Sequence, residues 1–136
     1  MQYVNFLRDI EVDRALGRTY IPREILSRHG LPDLRPDTVR RNVDRFAGLM
    51  RAEVERYEAW QARAAEGYRY IPTRYRIPVQ TAADMYAWTA RRIHRDPLVV
   101  LEGPLRPSRS RIVLRSLGNS VGGLRTARLS PLPRRR

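Results

Sequence analysis

Residues 37–66 read DTVRRNVDRFAGLMRAEVERYEAWQARAAE and carry the clearest helical signal in the chain. Apolar side chains recur there at positions 39, 43, 46, 50, 54, 57, 60 and 64, and steps of three and four residues place them on one face of an α-helix. Asp37 can cap the helix after Pro36, and Gly67 is a typical C-terminal stop. The stretch therefore predicts one long amphipathic helix that buries this face.

The sequence on the C-terminal side predicts two further helices and no sheet. Pro72 and Pro78 punctuate a connector in which Tyr and Arg alternate, and Asp96-Pro97 ends the helical pattern that follows. One apolar run, Leu-Val-Val-Leu, is typical of an extended segment, but a single run cannot build a sheet. The predicted order is a connector over 67–78, a helix over 79–95, an extended run over 98–101, a short helix over 108–117 and a disordered Arg-rich tail over 118–136. The fold class is therefore predicted to be all-α.

Composition excludes several classes of protein. The chain has 136 residues and no Cys, which rules out a disulfide scaffold, a thiolate zinc site and a Cys nucleophile. It has no apolar run near the roughly 18 residues that span a bilayer and no signal-peptide pattern, which favours a cytoplasmic location. The length fits one modest domain.

The net charge of +13 is concentrated near the C-terminus. Residues 1–102 contain eighteen Arg and all fourteen acids, whereas residues 103–136 contain nine Arg and no acid. Such a tail, together with the Tyr/Arg connector, is compatible with a nucleic acid or another polyanion as partner, and the affinity would then fall steeply with salt. The tail would also favour peripheral contact with a membrane that contains anionic lipid.

The N-terminal residues 1–14 have helical spacing but no N-cap, so we expect upstream sequence to belong to the same helix. Asn5, Asp9 and Asp13 lie four residues apart and drift only about 80° around that helix, which makes one polar stripe with Gln2 inside it. Apolar side chains border the stripe, so its two carboxylates need cations or a metal as compensation. The plainer alternative is that both acids are surface residues paired with neighbouring Arg.

A longer string surrounds this stripe. It runs Asn5-Phe6-Leu7-Arg8-Asp9-Ile10-Glu11-Val12-Asp13, followed by Gly17-Arg18-Thr19-Tyr20-Ile21-Pro22. It resembles the second aspartate-rich motif of squalene and phytoene synthases, whose pattern is Asn-x-x-Arg-Asp-x-x-x-Asp and then Gly-Arg-x-Tyr-x-Pro. Every position of that pattern is filled, and the likeness continues more loosely to about residue 117. One departure is Val12, which stands where many members have Glu.

The resemblance implies an isoprenoid-synthase helical bundle that joins two prenyl diphosphates head to head with Mg²⁺, or with Mn²⁺ as an alternative ion. One substrate loses diphosphate to give an allylic cation, a cyclopropyl intermediate forms, and a second ionisation completes the product. Asn5, Asp9 and Asp13 are the implied metal ligands, with Asp9 and Asp13 as the catalytic acids. The implied substrate-binding residues are Gln2, Arg8, Arg18, Tyr20 and Tyr86, with the two Arg and Tyr20 at the phosphates and Tyr86 at the prenyl chain.

Simpler roles for three of these residues stay open. Arg8 can pair with Asp9 or another neighbour, Arg18 can be a solvated loop cation, and Tyr86 can be ordinary core packing.

Members of this family also carry a first aspartate-rich motif on an upstream helix, and the chain contains no copy of it. We therefore expect residues 1–117 to be the C-terminal portion of such a domain, inactive alone and associating with an N-terminal half. The string around Asn5 looks most like prokaryotic phytoene synthases, which favours conversion of geranylgeranyl diphosphate to phytoene in carotenoid biosynthesis. The alternatives are a polyanion-binding fragment, with nucleic acid as the less favoured partner, and a remnant without independent function.

Overall fold

A computed structural model describes residues 1–103 and 105–127, and this part of the chain is helical without strands, as the sequence predicts. Its core forms around one long central helix. The elements are α1 (Gln2–Arg8), α2 (Ile10–Ala15), α3 (Arg23–Arg28), α4 (Pro36–Arg41), α5 (Val43–Glu66), a 3₁₀ turn (Gly67–Tyr70), α6 (Thr73–Arg95), α7 (Val99–Glu102) and α8 (Arg109–Ala127). Among the described residues, no helix is both long enough and apolar enough to cross a membrane.

The buried face of α5 organises the core. Phe46, Met50 and Val54 are fully buried on this face, at the helical spacing of four that the sequence predicts. Helices α1 and α6 both pack against α5 and against each other, so Val4 of α1 and Ile93 of α6 complete the same cluster. Each such side chain contributes about 1.5–3 kcal/mol by leaving water. Helix α1, which carries Asn5 and Arg8, is thereby fixed on the two longest helices of the core.

The long helix predicted over 37–66 is present but is divided at Asn42. The backbone of Asn42 has φ −134° and ψ 43°, and its side-chain Nδ2 donates to the Thr38 carbonyl at 2.9 Å. This side-chain bond replaces the backbone bond that a continuous helix would make, because Asn competes well for nearby carbonyls. The predicted Asp37 cap is also wrong: Arg35 is the N-cap, Pro36 is the first helical residue, and Asp37 lies inside the first turn.

The connector predicted over 67–78 is shorter than expected, because α6 begins at Thr73 and contains Pro78. A proline is least costly near the start of a helix, where the first four N–H groups have no intrahelical acceptor anyway. Pro78 is the sixth helical residue, so it removes only one backbone bond. The Thr81 hydroxyl donates to the Ile77 carbonyl at 2.9 Å, the bond to residue i−4 that a threonine inside a helix can make.

Two predictions about the C-terminal region are wrong. The apolar run 98–101 is not extended: residues Val99–Glu102 form α7, which buries Val99 and Val100 and ends at Gly103 with φ +140°. The last helix does not stop at 117 but runs to Ala127, so residues 118–127 of the predicted disordered tail are helical. Packing of α8 on α6 outweighs the low helix propensity of its glycines. The remainder of the predicted tail, 128–136, lies outside the described residues.

Candidate functional site

The polar stripe keeps its helical register across the break between α1 and α2. Asp9 lies at the break, with φ −99° and ψ 21°. Its N–H nevertheless donates to the Asn5 carbonyl at 2.8 Å, and the Asp13 N–H donates to the Asp9 carbonyl at 2.8 Å. Asn5, Asp9 and Asp13 therefore stand one turn apart along one face, and each is half-buried.

The Asn5 side chain contains an oxygen without a partner. Its Nδ2 donates to Gln2 Oε1 at 3.3 Å, whereas its Oδ1 is buried and accepts no hydrogen bond from the described residues. Buried acceptors are nearly always satisfied in folded proteins, so this atom points to an external partner. Gln2, on the same face, holds the amide in this orientation.

Arg8 and Asp9 form a two-pronged ion pair. Arg8 Nε donates to Asp9 Oδ1 at 2.7 Å, and a terminal guanidinium nitrogen of Arg8 donates to Asp9 Oδ2 at 2.6 Å. The hydrogen bonds to Asp9 raise the pKa of Arg8 above its ordinary value. The pairing that the sequence left open as an alternative role for Arg8 is thus present, and it compensates the charge of a half-buried carboxylate.

Two apolar pockets lie beside this ion pair. The larger, of about 590 Å³, is lined by Arg8, Met85 and Tyr86, with apolar side chains of α6 and α8 around them. Tyr86 thus lines a cavity and also packs against the core, as its alternative role of core packing predicts. The second pocket, of about 420 Å³, places Arg8 and Asp9 opposite α7. An apolar chain and an anionic group can therefore both reach Arg8.

The other end of the stripe is shaped by a glycine turn. Gly17 has φ +69°, the Arg18 N–H donates to the Asp13 carbonyl at 2.8 Å, and the Gly17 N–H donates to the Arg14 carbonyl at 2.9 Å. These bonds form a Schellman motif, which needs a left-handed residue at the glycine position. The turn places Arg18, Tyr20 and Asp13 around one small pocket of about 90 Å³.

Tyr20 also stacks on Phe6, with ring centroids 4.2 Å apart and an angle of 17° between the rings. The expected site residues therefore fall into two groups. Asp13, Arg18 and Tyr20 meet at the glycine turn, whereas Arg8 and Tyr86 meet at the large pocket. Asp9 lies between the groups along the helix, and Asn5 lies one turn before Asp9.

The oxygen donors of the stripe fit Mg²⁺. This ion typically takes one or two carboxylates and fills its other positions with water and substrate phosphates. The stripe offers two carboxylates and the unpartnered Asn5 oxygen. The described residues contain no group of three His, Cys, Asp or Glu side chains that could enclose a metal by itself. The arrangement therefore suits a metal shared with an anionic ligand.

Two features of the site could not be recognised from local patterns. Arg106 lines both apolar pockets together with Arg8, although 98 residues separate the two in sequence. Glu53 of α5 is buried and accepts a hydrogen bond from the Tyr3 hydroxyl, which fixes the start of α1 on α5. Burial and this bond raise the pKa of Tyr3 above its ordinary value. The sequence signal that could have indicated this role is the position of Glu53 on the apolar face of α5.

Comparison with known proteins gives one consistent result. A sequence model described as squalene/phytoene synthase matches residues 1–114. Phytoene synthase 3, chloroplastic, from Zea mays is 34% identical over 86 residues, which cover 62% of this chain and 20% of that protein. The 15-cis-phytoene synthase of Synechocystis sp. is 36% identical over 87 residues, which cover 62% of this chain and 25% of that protein.

A further similar protein combines two activities in its name. It is a bifunctional lycopene cyclase/phytoene synthase from Pyrenophora tritici-repentis, 28% identical over 115 residues, which cover 84% of this chain and 19% of that protein. The chain thus spans about a fifth to a quarter of the length of these curated relatives. No solved structure matches significantly.

Proposed function

Because the chain belongs to the squalene/phytoene synthase family, we propose that it is a diphosphate-binding portion of a prenyltransferase that condenses two prenyl diphosphates head to head. Members of the family use a divalent metal in this chemistry. The relatives are named as phytoene synthases, which supports geranylgeranyl diphosphate as substrate and phytoene as product. We expect the reaction to take place in the cytoplasm.

One observation carries the proposal. The buried Oδ1 of Asn5 accepts no hydrogen bond from the described residues, and it stands one helical turn from Asp9 and two from Asp13. The alternative, in which the acids are ordinary surface residues, does not explain why a buried amide oxygen has no hydrogen-bond partner. Asn5, Asp9 and Asp13 would hold Mg²⁺, or Mn²⁺ in its place, and the bound ion would make diphosphate a better leaving group. Asp9 and Asp13 are the catalytic carboxylates in this proposal.

The cations of the site complete the diphosphate pocket. Arg8 is occupied by Asp9 in this structure, but the guanidinium fork that suits a carboxylate also suits a phosphate. Arg18 and Tyr20 line the small pocket at the glycine turn together with Asp13. Gln2 acts through Asn5, whose amide it orients. Charge on the departing diphosphate is therefore met by Arg8 in the middle of the stripe and by Arg18 at its C-terminal end.

The apolar pocket of about 590 Å³ would receive the prenyl chain. Its wall includes Met85, Tyr86 and neighbouring apolar side chains, which suit a hydrocarbon chain. An aromatic face such as that of Tyr86 also tolerates a passing positive charge.

The stripe provides two carboxylates, and the family's chemistry uses carboxylates on two facing helices. We therefore expect residues 1–117 to act as a partial domain that binds metal and diphosphate but needs the family's N-terminal half to form product.

Calorimetric titration of the 136-residue chain with inorganic pyrophosphate, with and without Mg²⁺, tests this function. We expect Mg²⁺ to strengthen binding, and Asp13→Asn to weaken the Mg²⁺-dependent binding roughly tenfold or more. Asp37→Asn is the matched control, since it removes the same charge from an exposed residue of α4.

A purely electrostatic effect would change the affinity for pyrophosphate in the opposite direction. Each substitution raises the net charge by one, so a purely electrostatic anion site would bind pyrophosphate more tightly in both variants. Equal strengthening in Asp13→Asn and Asp37→Asn, or binding that ignores Mg²⁺, would contradict the proposed function.

A further inference from the structure

Helices α6 and α8 border a cavity of about 480 Å³ that contains no residue of the aspartate stripe. Its charged lining, among the described residues, consists of the guanidinium groups of Arg91, Arg111 and Arg115 and the carboxylate of Asp84. These groups leave two positive charges in excess. A cleft lined mainly by one sign of charge concentrates ions of the opposite sign. The cavity therefore favours an anion.

The charged groups of the cavity are positioned by neighbouring side chains. Arg115 Nε donates to Asp84 Oδ2 at 2.9 Å, and Asn119 Nδ2 donates to the same oxygen at 2.9 Å. The guanidinium carbon of Arg111 lies 5.0 Å from the centre of the Trp88 ring. Stacking on a ring uses the flat face of a guanidinium group, whereas its N–H donors lie in its plane. Arg111 can therefore stack on Trp88 and still donate to an anion.

Two serine hydroxyls lie on the same lining. Ser108 and Ser110 are exposed, and their Oγ atoms are 3.1 Å apart. The backbone N–H of Arg111 donates to Ser108 Oγ at 3.3 Å, so this hydroxyl stands beside a residue whose guanidinium lines the cavity. The local sequence is Arg-Pro-Ser-Arg-Ser-Arg over 106–111, and residues 103–136 contain no acid. Both hydroxyls are thus accessible to an enzyme and border a cation-rich cavity.

We propose that Ser108 is a phosphorylation site and that the cavity between α6 and α8 binds the resulting phosphoserine of the same chain. A serine kinase supplies the phosphoryl group from a nucleoside triphosphate. Ser108 Oγ bonds to the γ-phosphorus, and the bond from that phosphorus to the oxygen bridging it to the β-phosphorus breaks. The nucleoside diphosphate leaves, and the hydroxyl proton passes to a basic group of the kinase.

The charge of phosphoserine matches that of the cavity. Phosphoserine carries about −1.5 to −2 at pH 7 and three strong acceptor oxygens, against an excess of two positive charges. Arg91 of α6 and Arg111 of α8 donate charge-assisted hydrogen bonds to these oxygens, which joins the start of α8 to α6. Ile112 and Ser116 of α8 also line the apolar pocket of about 590 Å³, so the phosphate fixes one wall of that pocket. Binding of the phosphate requires neither the metal nor a prenyl substrate, so it stands apart from the function proposed for the aspartate stripe.

A phosphorus NMR titration tests the binding of the phosphate by the cavity. The 136-residue chain is produced with phosphoserine at position 108 only. The second pKa of phosphoserine is ordinarily about 6, and neighbouring guanidinium groups lower it because they favour the dianion. We expect this pKa in the folded chain to lie about one pH unit below its value in the same chain unfolded in urea. The unfolded chain retains the sequence neighbours Arg106 and Arg109, so the difference isolates the contribution of the cavity.

The Arg91→Gln variant tests whether the cavity causes this difference. It removes one guanidinium group of the lining and should raise the pKa in the folded chain toward the unfolded value. The matched control is Arg92→Gln, which removes the same charge from the next residue of α6, an exposed side chain outside the cavity lining. The control should leave the pKa unchanged. Folded and unfolded chains are compared within each variant, and urea unfolding verifies that each variant is folded during the titration.

Treatment of the unmodified chain with ATP and an arginine-directed serine kinase tests the modification itself. Mass spectrometry should find the phosphate on Ser108. Ser108→Ala should prevent the transfer, whereas Ser27→Ala, a change in an exposed serine of α3, should not.

Three results would overturn the inference. Equal pKa values in the folded and unfolded chains would show that the cavity does not bind the phosphate. Equal effects of Arg91→Gln and Arg92→Gln would assign the difference to overall charge. Transfer of phosphate to other residues, or to none, would remove Ser108 as the modification site.

Discussion

Replacing Tyr3 with Phe removes the hydroxyl that joins α1 to the buried Glu53 of α5. Glu53 is only 2% exposed, and its other contact is Arg56, whose nitrogen lies 3.4 Å from Glu53 Oε1. A hydrogen bond to a charged group contributes about 1.5–3 kcal/mol, and the loss falls on a carboxylate that cannot recover the bond from water. We therefore expect Tyr3→Phe to lower the free energy of unfolding by about 1.5–3 kcal/mol.

Urea unfolding followed by circular dichroism measures this loss. A midpoint lower by roughly 1 M is expected at unchanged slope, given slopes of about 1–3 kcal/mol per molar urea. Tyr70→Phe is the control, because Tyr70 is 76% exposed and its ring lies beneath the Arg69 guanidinium. It should change stability by less than about 0.5 kcal/mol.

A double-mutant cycle tests the pairing itself. Glu53→Met removes the carboxylate at similar length, so the combined Tyr3→Phe and Glu53→Met variant has no buried acceptor left unsatisfied. Its loss of free energy of unfolding should be smaller than the sum of the losses in the two single variants. Additive losses, or a Tyr3→Phe variant as stable as Tyr70→Phe, would refute the reasoning.

Three further predictions concern titration, turn geometry and the metal stripe. Burial raises the pKa of Tyr57 to about 12, and burial and Glu53 raise that of Tyr3, so both hold their protons longer when folded. Their contribution to the free energy of unfolding is therefore complete below the ordinary tyrosine pKa of 10.0 and is lost as pH rises toward 12. Urea midpoints measured against pH should show this loss, and Tyr57→Phe should make it smaller. Gly17→Ala meets no atom within 4 Å but forces a side chain to adopt φ +69°, so urea unfolding should show a loss of about 1–2 kcal/mol. Arg8→Gln frees both Asp9 oxygens from their ion pair, so Mn²⁺ should bind the stripe more tightly in paramagnetic titration; weaker binding would contradict competition between Arg8 and the metal.

The parts of the fold that depend on local spacing could be predicted from the sequence. The apolar repeat of α5 survives in the structure because burial of that repeat defines the core. The break at Asn42 was missed because it depends on one side chain competing for a carbonyl, a contest that periodicity does not describe. The continuation of α8 beyond residue 117 was missed because this helix is held by contacts of Arg115 and Asn119 with Asp84, which lies 31 and 35 residues away in sequence.

The same distinction applies to the site. The alignment of Asn5, Asp9 and Asp13 follows from a spacing of four, and the backbone hydrogen bonds confirm that register. The residues that support the stripe come from far along the chain: Glu53 lies 50 residues from Tyr3. Such pairs are set by how the helices pack, so a single sequence contains no local pattern that indicates them.

The central claim is that Asn5, Asp9 and Asp13 form one metal-binding stripe. Paramagnetic broadening by Mn²⁺, read from the amide signals of the 136-residue chain, tests it most directly. The account predicts that substoichiometric Mn²⁺ broadens the signals of residues 5, 9 and 13 and their neighbours first, and that Asp13→Asn removes this selectivity while Asp37→Asn keeps it. Broadening that begins instead around other exposed acids, or that survives Asp13→Asn unchanged, would contradict it.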